Sequence, residues 1–180
     1  MTMIPPVLNF TMTDIDGQPM ELKRYLGSVV MIVNVASKCG FTAQYRQLED
    51  LYLKEQARGL VILGFPANNF LFQEPGTNPE IKAFCQLRYN VSFPLFAKIS
   101  VRGKDIVPLY QILTTAATKP VAAGKITWNF NKFILNRAGQ PIYRFGSRTE
   151  PQDPTVLQTI AELLAEPIPD VALDTIDKRQ

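Results

Sequence analysis

Cys39 is the residue whose type and position best suit covalent chemistry. It follows Ser37 and Lys38, directly after a nearly continuous apolar, β-branched run from Val29 to Ala36. Such a run predicts a strand buried on both faces, and apolar residues at helical spacing after Thr42 predict a helix with Thr42 as its N-cap. A cysteine between a strand end and a helix N-terminus, beside a lysine, is favoured as the nucleophilic thiolate. The alternative is a small buried cysteine without a chemical role.

The residues that are missing exclude several classes of site. The sequence has no histidine and two cysteines, Cys39 and Cys85. Ser-His-Asp triads, Cys-His proteases and His-ligated zinc or iron are therefore excluded, and a four-cysteine metal cage cannot form. We expect neither a metal nor a cofactor. A net charge of +3 with 19% charged residues indicates no basic surface for a phosphate backbone, so nucleic acid is not an expected partner.

The chain shows no segment that would direct it into or across a membrane. Residues 1–6 lack both a basic start and an apolar run of signal-peptide length. An apolar stretch of about 18 residues, as a membrane-spanning helix requires, is absent from the sequence. We expect a cytoplasmic protein without stable membrane insertion.

The other elements that position Cys39 predict one α/β domain. Predicted elements are a hairpin from Leu8 to Tyr25, strands over 60–65, 93–99, 132–136 and 141–145, and helices capped near Asn78, Val107 and Asp153. Alternating strands and helices at this spacing indicate a three-layer α/β sandwich with a mixed central sheet. We assign residues 1–165 to this domain and residues 166–180, which show little apolar periodicity, to a C-terminal tail.

Three separated motifs resemble the glutathione peroxidase family. They are NVASKCGFT over 34–42, GFP over 64–66 with QEPG over 73–76, and WNFNKF over 128–133. They occur in the family's order, and the similarity extends from about residue 7 to about residue 165. The resemblance implies a thioredoxin-like fold and a peroxidase whose substrate is a hydroperoxide.

The resemblance also implies a site. In it Cys39 is the peroxidatic nucleophile, and Gln73, Trp128 and Asn129 donate amide and indole hydrogens to the thiolate or to the peroxide oxygens. Without the resemblance, Gln73 is interpreted as a solvated loop residue, Trp128 as a core or rim aromatic and Asn129 as a turn former. Successive side chains of a regular strand face opposite ways, so Trp128 and Asn129 are expected in irregular backbone before the strand at Lys132.

Cys85 is the candidate resolving cysteine. The segment 84–89 resembles the resolving position of the family's two-cysteine branch, which implies thioredoxin as the reductant and a disulfide between Cys39 and Cys85. The spacing of Ile81, Phe84 and Cys85 also fits a buried helix face, so a core cysteine is the alternative, and resolution requires local opening. Glutathione as reductant, a peroxide sensor that oxidises a partner protein, and a fold without redox function are the competing hypotheses.

The chain departs from the family pattern in one loop. Where the family has FPCNQFGGQ, residues 65–73 read FPANNFLFQ, so Ala67, Asn69, Leu71 and Phe72 replace a cysteine, a glutamine and a glycine pair. Without the glycine pair, fewer backbone conformations are accessible to this loop, which affects how Gln73 is presented. Two exposed apolar side chains would favour lipid or alkyl hydroperoxides as substrates. The short segment 117–128 has no room for the assembly insertion of tetrameric members, so we expect a monomer or at most a weak dimer.

Overall fold

The computed structural model describes residues 3–170 and residue 172. The strands are β1 (Thr11–Thr13), β2 (Pro19–Glu21), β3 (Val29–Val35), β4 (Leu60–Pro66), β5 (Lys119–Pro120), β6 (Lys132–Leu135) and β7 (Pro141–Phe145). The helices are α1 (Gln44–Glu55), α2 (Asn78–Tyr89), α3 (Pro108–Thr115) and α4 (Pro154–Ala165). Short 3-10 helices lie at Pro6–Leu8, Leu22–Tyr25 and Gln56–Arg58.

A five-stranded mixed sheet forms the centre of the fold, in the order β4-β3-β6-β7-β5. β3 pairs in parallel with β4 and antiparallel with β6, and β7 pairs antiparallel with β6 and in parallel with β5. β1 and β2 form a separate antiparallel hairpin. The predicted mixed sheet and N-terminal hairpin are confirmed. β5 was not predicted, because two residues carry no periodicity.

Strand β3 is buried over its whole length, as its composition predicts. Val29, Met31 and Val33 point into a core shared with α1, α2 and α4. Val30 and Ile32 point into a second core, on the side of α3 and the N-terminal 3-10 helices. Because side chains alternate along a strand, β3 contributes residues to the cores on both faces of the sheet. The predicted three-layer arrangement is confirmed.

Two predicted helix caps are wrong, because the side chains of Thr42 and Asn78 form other hydrogen bonds. Thr42 lies in the turn before α1, whose N-cap Ala43 makes no side-chain capping bond. The N-cap of α2 is Thr77, which forms a reciprocal capping box with Glu80. The Asn78 side chain accepts a hydrogen bond from the backbone of Lys98 instead (2.9 Å). Asp153 caps α4 as predicted, by accepting from the Thr155 N–H.

Residues 93–99 do not form the regular strand that was predicted for them. The segment lies beside the free edge of β4, but it contributes only isolated bridges, at Leu95, Phe96 and Ile99. Pro94 has no N–H to donate, although its carbonyl accepts from Gly64 (3.0 Å). The segment therefore covers the sheet edge without joining it as a regular strand.

The predicted tail falls largely outside the described residues. Residues 166–170 and 172 follow α4, and the Ala172 side chain is buried in the core on the α3 side of the sheet. Across residues 3–170, no helix is both long enough and apolar enough to cross a membrane.

Candidate active site

Cys39 lies in the turn that connects β3 to α1, and its side chain is half-buried. Thr42 organises this turn, because its hydroxyl accepts from the Cys39 N–H (2.9 Å) and donates to the Ala36 carbonyl (2.9 Å). The Phe41 N–H donates to the Cys39 sulfur (3.3 Å). A backbone donor aimed at the sulfur stabilises negative charge on it. That donor belongs to the turn and not to the first turn of α1, which begins at Gln44.

Gln73 is joined to the cysteine turn through the backbone. The Lys38 N–H donates to the Gln73 carbonyl (3.0 Å), which fixes the two loops side by side. The Gln73 side-chain oxygen accepts from the Asn129 amide (2.9 Å). The Gln73 amide hydrogens are then available, since no described residue accepts from them. The structure thus brings together the segments that carry Cys39, Gln73 and Asn129.

Trp128 and Asn129 occupy irregular backbone before β6, as predicted. Phe130 has a left-handed conformation (φ 58°), which breaks the strand alternation at this point. Asn129 is fully buried, whereas Trp128 is half-buried and packs against Phe70, with ring centroids 5.7 Å apart. Trp128 packs against the core on the α3 side of the sheet, and the Asn129 side chain reaches Gln73.

Asn34 on β3 holds this loop in place, although no role was predicted for it. Its side chain donates to the Trp128 carbonyl (3.1 Å) and accepts from the Asn131 N–H (3.0 Å), and its own carbonyl accepts from the Phe130 N–H (2.6 Å). Asn34 is completely buried. A polar residue inside an apolar strand was the available signal, because such a residue must find partners.

Lys132 also supports the loop that carries Trp128. Its buried ammonium group donates to the Phe130 carbonyl (2.6 Å) and to the Gly146 carbonyl (3.3 Å). Burial lowers the pKa of Lys132 to about 7, and the charge of Glu150 acts in the opposite direction with a smaller effect. Nothing in the sequence distinguished Lys132 from a solvated lysine.

Cys85 is fully buried on α2, in the core that Cys39 borders. Both cysteines carry free thiols. Burial, with a smaller contribution from the Glu74 carboxyl, raises the pKa of the Cys85 thiol to about 11, and an interaction with the Tyr45 hydroxyl acts in the opposite direction. In this structure Cys85 matches the description of a core cysteine.

The substituted loop exposes its apolar residues. Leu71 and Phe72 are 74% and 78% exposed, and both have left-handed backbones (φ 49° and 53°). Each such residue costs roughly 1–2 kcal/mol when it is not glycine. Ala67 is buried in the core, and the Asn69 side chain bonds Ser100 and Val101, so these two substitutions are structural.

The family model for glutathione peroxidase matches residues 7–114. The chain belongs to the glutathione peroxidase family. The thioredoxin/glutathione peroxidase BtuE of Escherichia coli is 42% identical over 179 residues, covering 89% of this chain and 98% of the relative. The hydroperoxy fatty acid reductase gpx1 of Synechocystis is 44% identical over 152 residues, covering 82% of this chain and 90% of the relative.

A solved structure of the apo form of Trgpx has the same fold. It superposes with a TM-score of 0.74 at 34% identity, and the match covers 92% of this chain and 99% of that one. The predicted thioredoxin-like α/β class is therefore confirmed. This glutathione peroxidase family member is a peroxidase that takes a hydroperoxide and a thiol reductant. Its described residues contain no group of three or more acidic or cysteine side chains that could hold a metal.

Proposed function

We propose that this protein reduces hydroperoxides through a sulfenic acid on Cys39, that Cys85 resolves this intermediate, and that thioredoxin reduces the resulting disulfide. In the first step the Cys39 thiolate attacks one peroxide oxygen, the O–O bond breaks, and the other oxygen leaves as water or an alcohol after protonation. Gln73, Trp128 and Asn129 donate hydrogen bonds to the charge that moves from sulfur to the leaving oxygen.

One observation carries the assignment of Cys39 and its partners. The Cys39 turn, Gln73 and Asn129 are tied together by the Lys38 to Gln73 backbone bond and by the Asn129 to Gln73 side-chain bond. Because the Gln73 side-chain oxygen accepts from Asn129 and no described residue accepts from its amide hydrogens, these hydrogens could donate to a bound peroxide or thiolate. A solvated loop glutamine and a turn-forming asparagine would not need this linkage.

The resolving role of Cys85 is supported by the weak anchoring of α2. Only Ile81 and Cys85 of its twelve residues are buried, whereas α4 buries five residues over the same length. A helix with few buried side chains opens at low cost, since little apolar surface is exposed in the process. Such an opening would free Cys85 to reach Cys39.

The reductant and the cysteine roles are tested by NADPH-coupled turnover with either thioredoxin or glutathione. We expect faster turnover with thioredoxin, loss of all turnover in Cys39→Ser, and loss of thioredoxin-dependent turnover in Cys85→Ser. Peptide mapping of oxidised wild-type protein should find a Cys39 to Cys85 disulfide. A Cys85 thiol that is still free after turnover with thioredoxin would falsify the resolving role. Glutathione remains the second candidate, because the BtuE relative is named for both reductants.

We propose that lipid or alkyl hydroperoxides are preferred substrates. Leu71 and Phe72 hold two exposed apolar side chains on the loop that leads to Gln73, in backbone conformations that cost stability. An apolar substrate tail that covers them would recover hydrophobic free energy. The test is the double variant Leu71→Gly, Phe72→Gly, for which the ratio of the rates with a lipid hydroperoxide and with hydrogen peroxide should fall. An unchanged ratio rejects this preference.

We also propose that the protein acts as a monomer. The segment between α3 and Trp128 is short, and it contains only the two-residue strand β5. Light scattering after size-exclusion chromatography should give the mass of one chain, and a stable tetramer would contradict the proposal.

A further inference from the structure

A cavity of about 410 Å³ separates the loop before Cys39 from helix α2. Ser37 and Lys38 line it on the side of the peroxidatic cysteine, and Ile81 and Phe84 line it on the side of Cys85. Glu74 forms part of the wall between them. The cavity thus adjoins both segments that must meet when a disulfide forms.

Glu74 is an unusual residue for this wall. It is only 1% exposed, and its interaction with Ser37 does not reach the geometry of a regular hydrogen bond. Buried carboxyl groups in proteins are normally held by several strong hydrogen bonds. A carboxyl group held this loosely at the edge of a cavity can accept a proton from a group that approaches it there.

The backbone of Glu74 is anchored by two residues outside α2, although one of them, Lys98, also donates its N–H to Asn78 at the start of that helix (2.9 Å). The Glu74 N–H donates to the Asn68 side chain (2.9 Å), and its carbonyl accepts from the Lys98 ammonium (3.1 Å). Neither anchor lies on the helix. Glu74 can therefore stay in position while the turn that carries Cys85 opens.

We propose that Glu74 transfers the proton in disulfide formation between Cys85 and Cys39. This inference rests on the proposed resolving role of Cys85. The Cys85 sulfur attacks the sulfur of the Cys39 sulfenic acid, so the S–S bond forms as the S–O bond breaks. Glu74 takes the proton of the Cys85 thiol and delivers a proton to the departing hydroxyl, which leaves as water. The Cys85 sulfur is oxidised as the Cys39 sulfur is reduced, and no further oxidant is needed.

The electrostatics of the cavity fit a group that exchanges protons. Burial raises the pKa of Glu74 above its ordinary value, and Ser37, Lys98 and Lys38 partly reverse this shift. Burial raises the pKa of Cys85 to about 11 in the closed conformation, and an exposed thiol is also mostly protonated at neutral pH, so a base favours its attack in either conformation. The other titratable groups that face the cavity or interact with Glu74 are Tyr45 on α1 and Glu80 on α2.

The test is single-turnover oxidation of reduced Glu74→Gln, which keeps the shape of the side chain but cannot accept a proton. Peroxide consumption should match wild type, because Cys39 still attacks. Disulfide formation, followed by rapid alkylation and mass spectrometry, should slow roughly 10- to 100-fold while the sulfenic acid accumulates. The carboxyl titration in the pH profile of this step should disappear, which a merely structural role would not cause. Glu74→Asp keeps the carboxyl group and should give an intermediate rate.

Glu80→Gln is the matched control. It removes a carboxyl group from the same cavity, and glutamine still satisfies the capping box with Thr77, so its disulfide rate should equal that of wild type. Disulfide formation at the wild-type rate in a folded Glu74→Gln protein overturns the proton-transfer role alone. Wild-type protein that forms no Cys39 to Cys85 bond overturns the resolving role as well. If disulfide formation slows equally in Glu74→Gln and Glu80→Gln, the loss of either negative charge from the cavity explains the effect, and this result also rejects the inference.

Discussion

Replacing Ile81 with valine should accelerate disulfide formation. Ile81 is 1% exposed, and besides Cys85 it is the only buried residue of α2. Removing one buried methylene from an isoleucine typically costs about 0.5–1.5 kcal/mol. If α2 must unpack before Cys85 reacts, the closed form loses this free energy and the open form does not. The open fraction, and with it the rate of disulfide formation, should rise roughly 2- to 12-fold.

The matched control is Ile160→Val. Ile160 is also 1% exposed and belongs to the same core, but it lies on α4. Urea denaturation should show similar losses in the free energy of unfolding for the two variants. Single-turnover oxidation with an alkylation quench should show acceleration only for Ile81→Val. Equal acceleration in both would mean that Cys85 is released by global unfolding, and an unchanged rate in Ile81→Val would refute the requirement that α2 opens before Cys85 reacts.

Three further outcomes follow from the buried polar groups. Burial raises the pKa of the Cys85 thiol from 9.0 in the unfolded chain to about 11 in the folded protein. Above pH 9 the thiol therefore ionises first in the unfolded state. Wild-type protein should therefore lose about 3 kcal/mol of stability between pH 9 and 11 relative to Cys85→Ala in urea titrations. Ionisation of Lys132 should have the opposite effect on stability. Between pH 7 and 10.5 only the unfolded state carries a proton on this side chain, so the free energy of unfolding of wild type should rise with pH in this range. The rise should be absent in Lys132→Met. Asn34→Ala leaves the Asn131 N–H without its partner, at about 1–3 kcal/mol for a buried group, whereas the Trp128 carbonyl still accepts from the Asn131 side-chain amide (3.0 Å); steady-state assays should show a reduced peroxidase rate in a folded protein.

Much of the fold could be predicted because its signals are local. The apolar run of β3 and the helical spacing of α1, α2 and α4 follow from burial on a sheet and from the period of a helix. The helix caps and the segment 93–99 were less predictable. Whether Asn78 or Thr77 caps α2 depends on which side chain Lys98 engages from a distant part of the chain.

By itself the sequence predicted the candidate nucleophile and determined the order of the motifs and the class of fold. A cysteine after a buried strand, in a chain without histidine, leaves thiol chemistry as the available covalent route. Only the tertiary structure decided how Asn34 and Lys132 hold the Trp128 loop and that Glu74 is buried in the wall of the cavity beside α2. The physical reason is that burial and hydrogen bonding join residues that are far apart in the chain, and no local pattern records which of them meet.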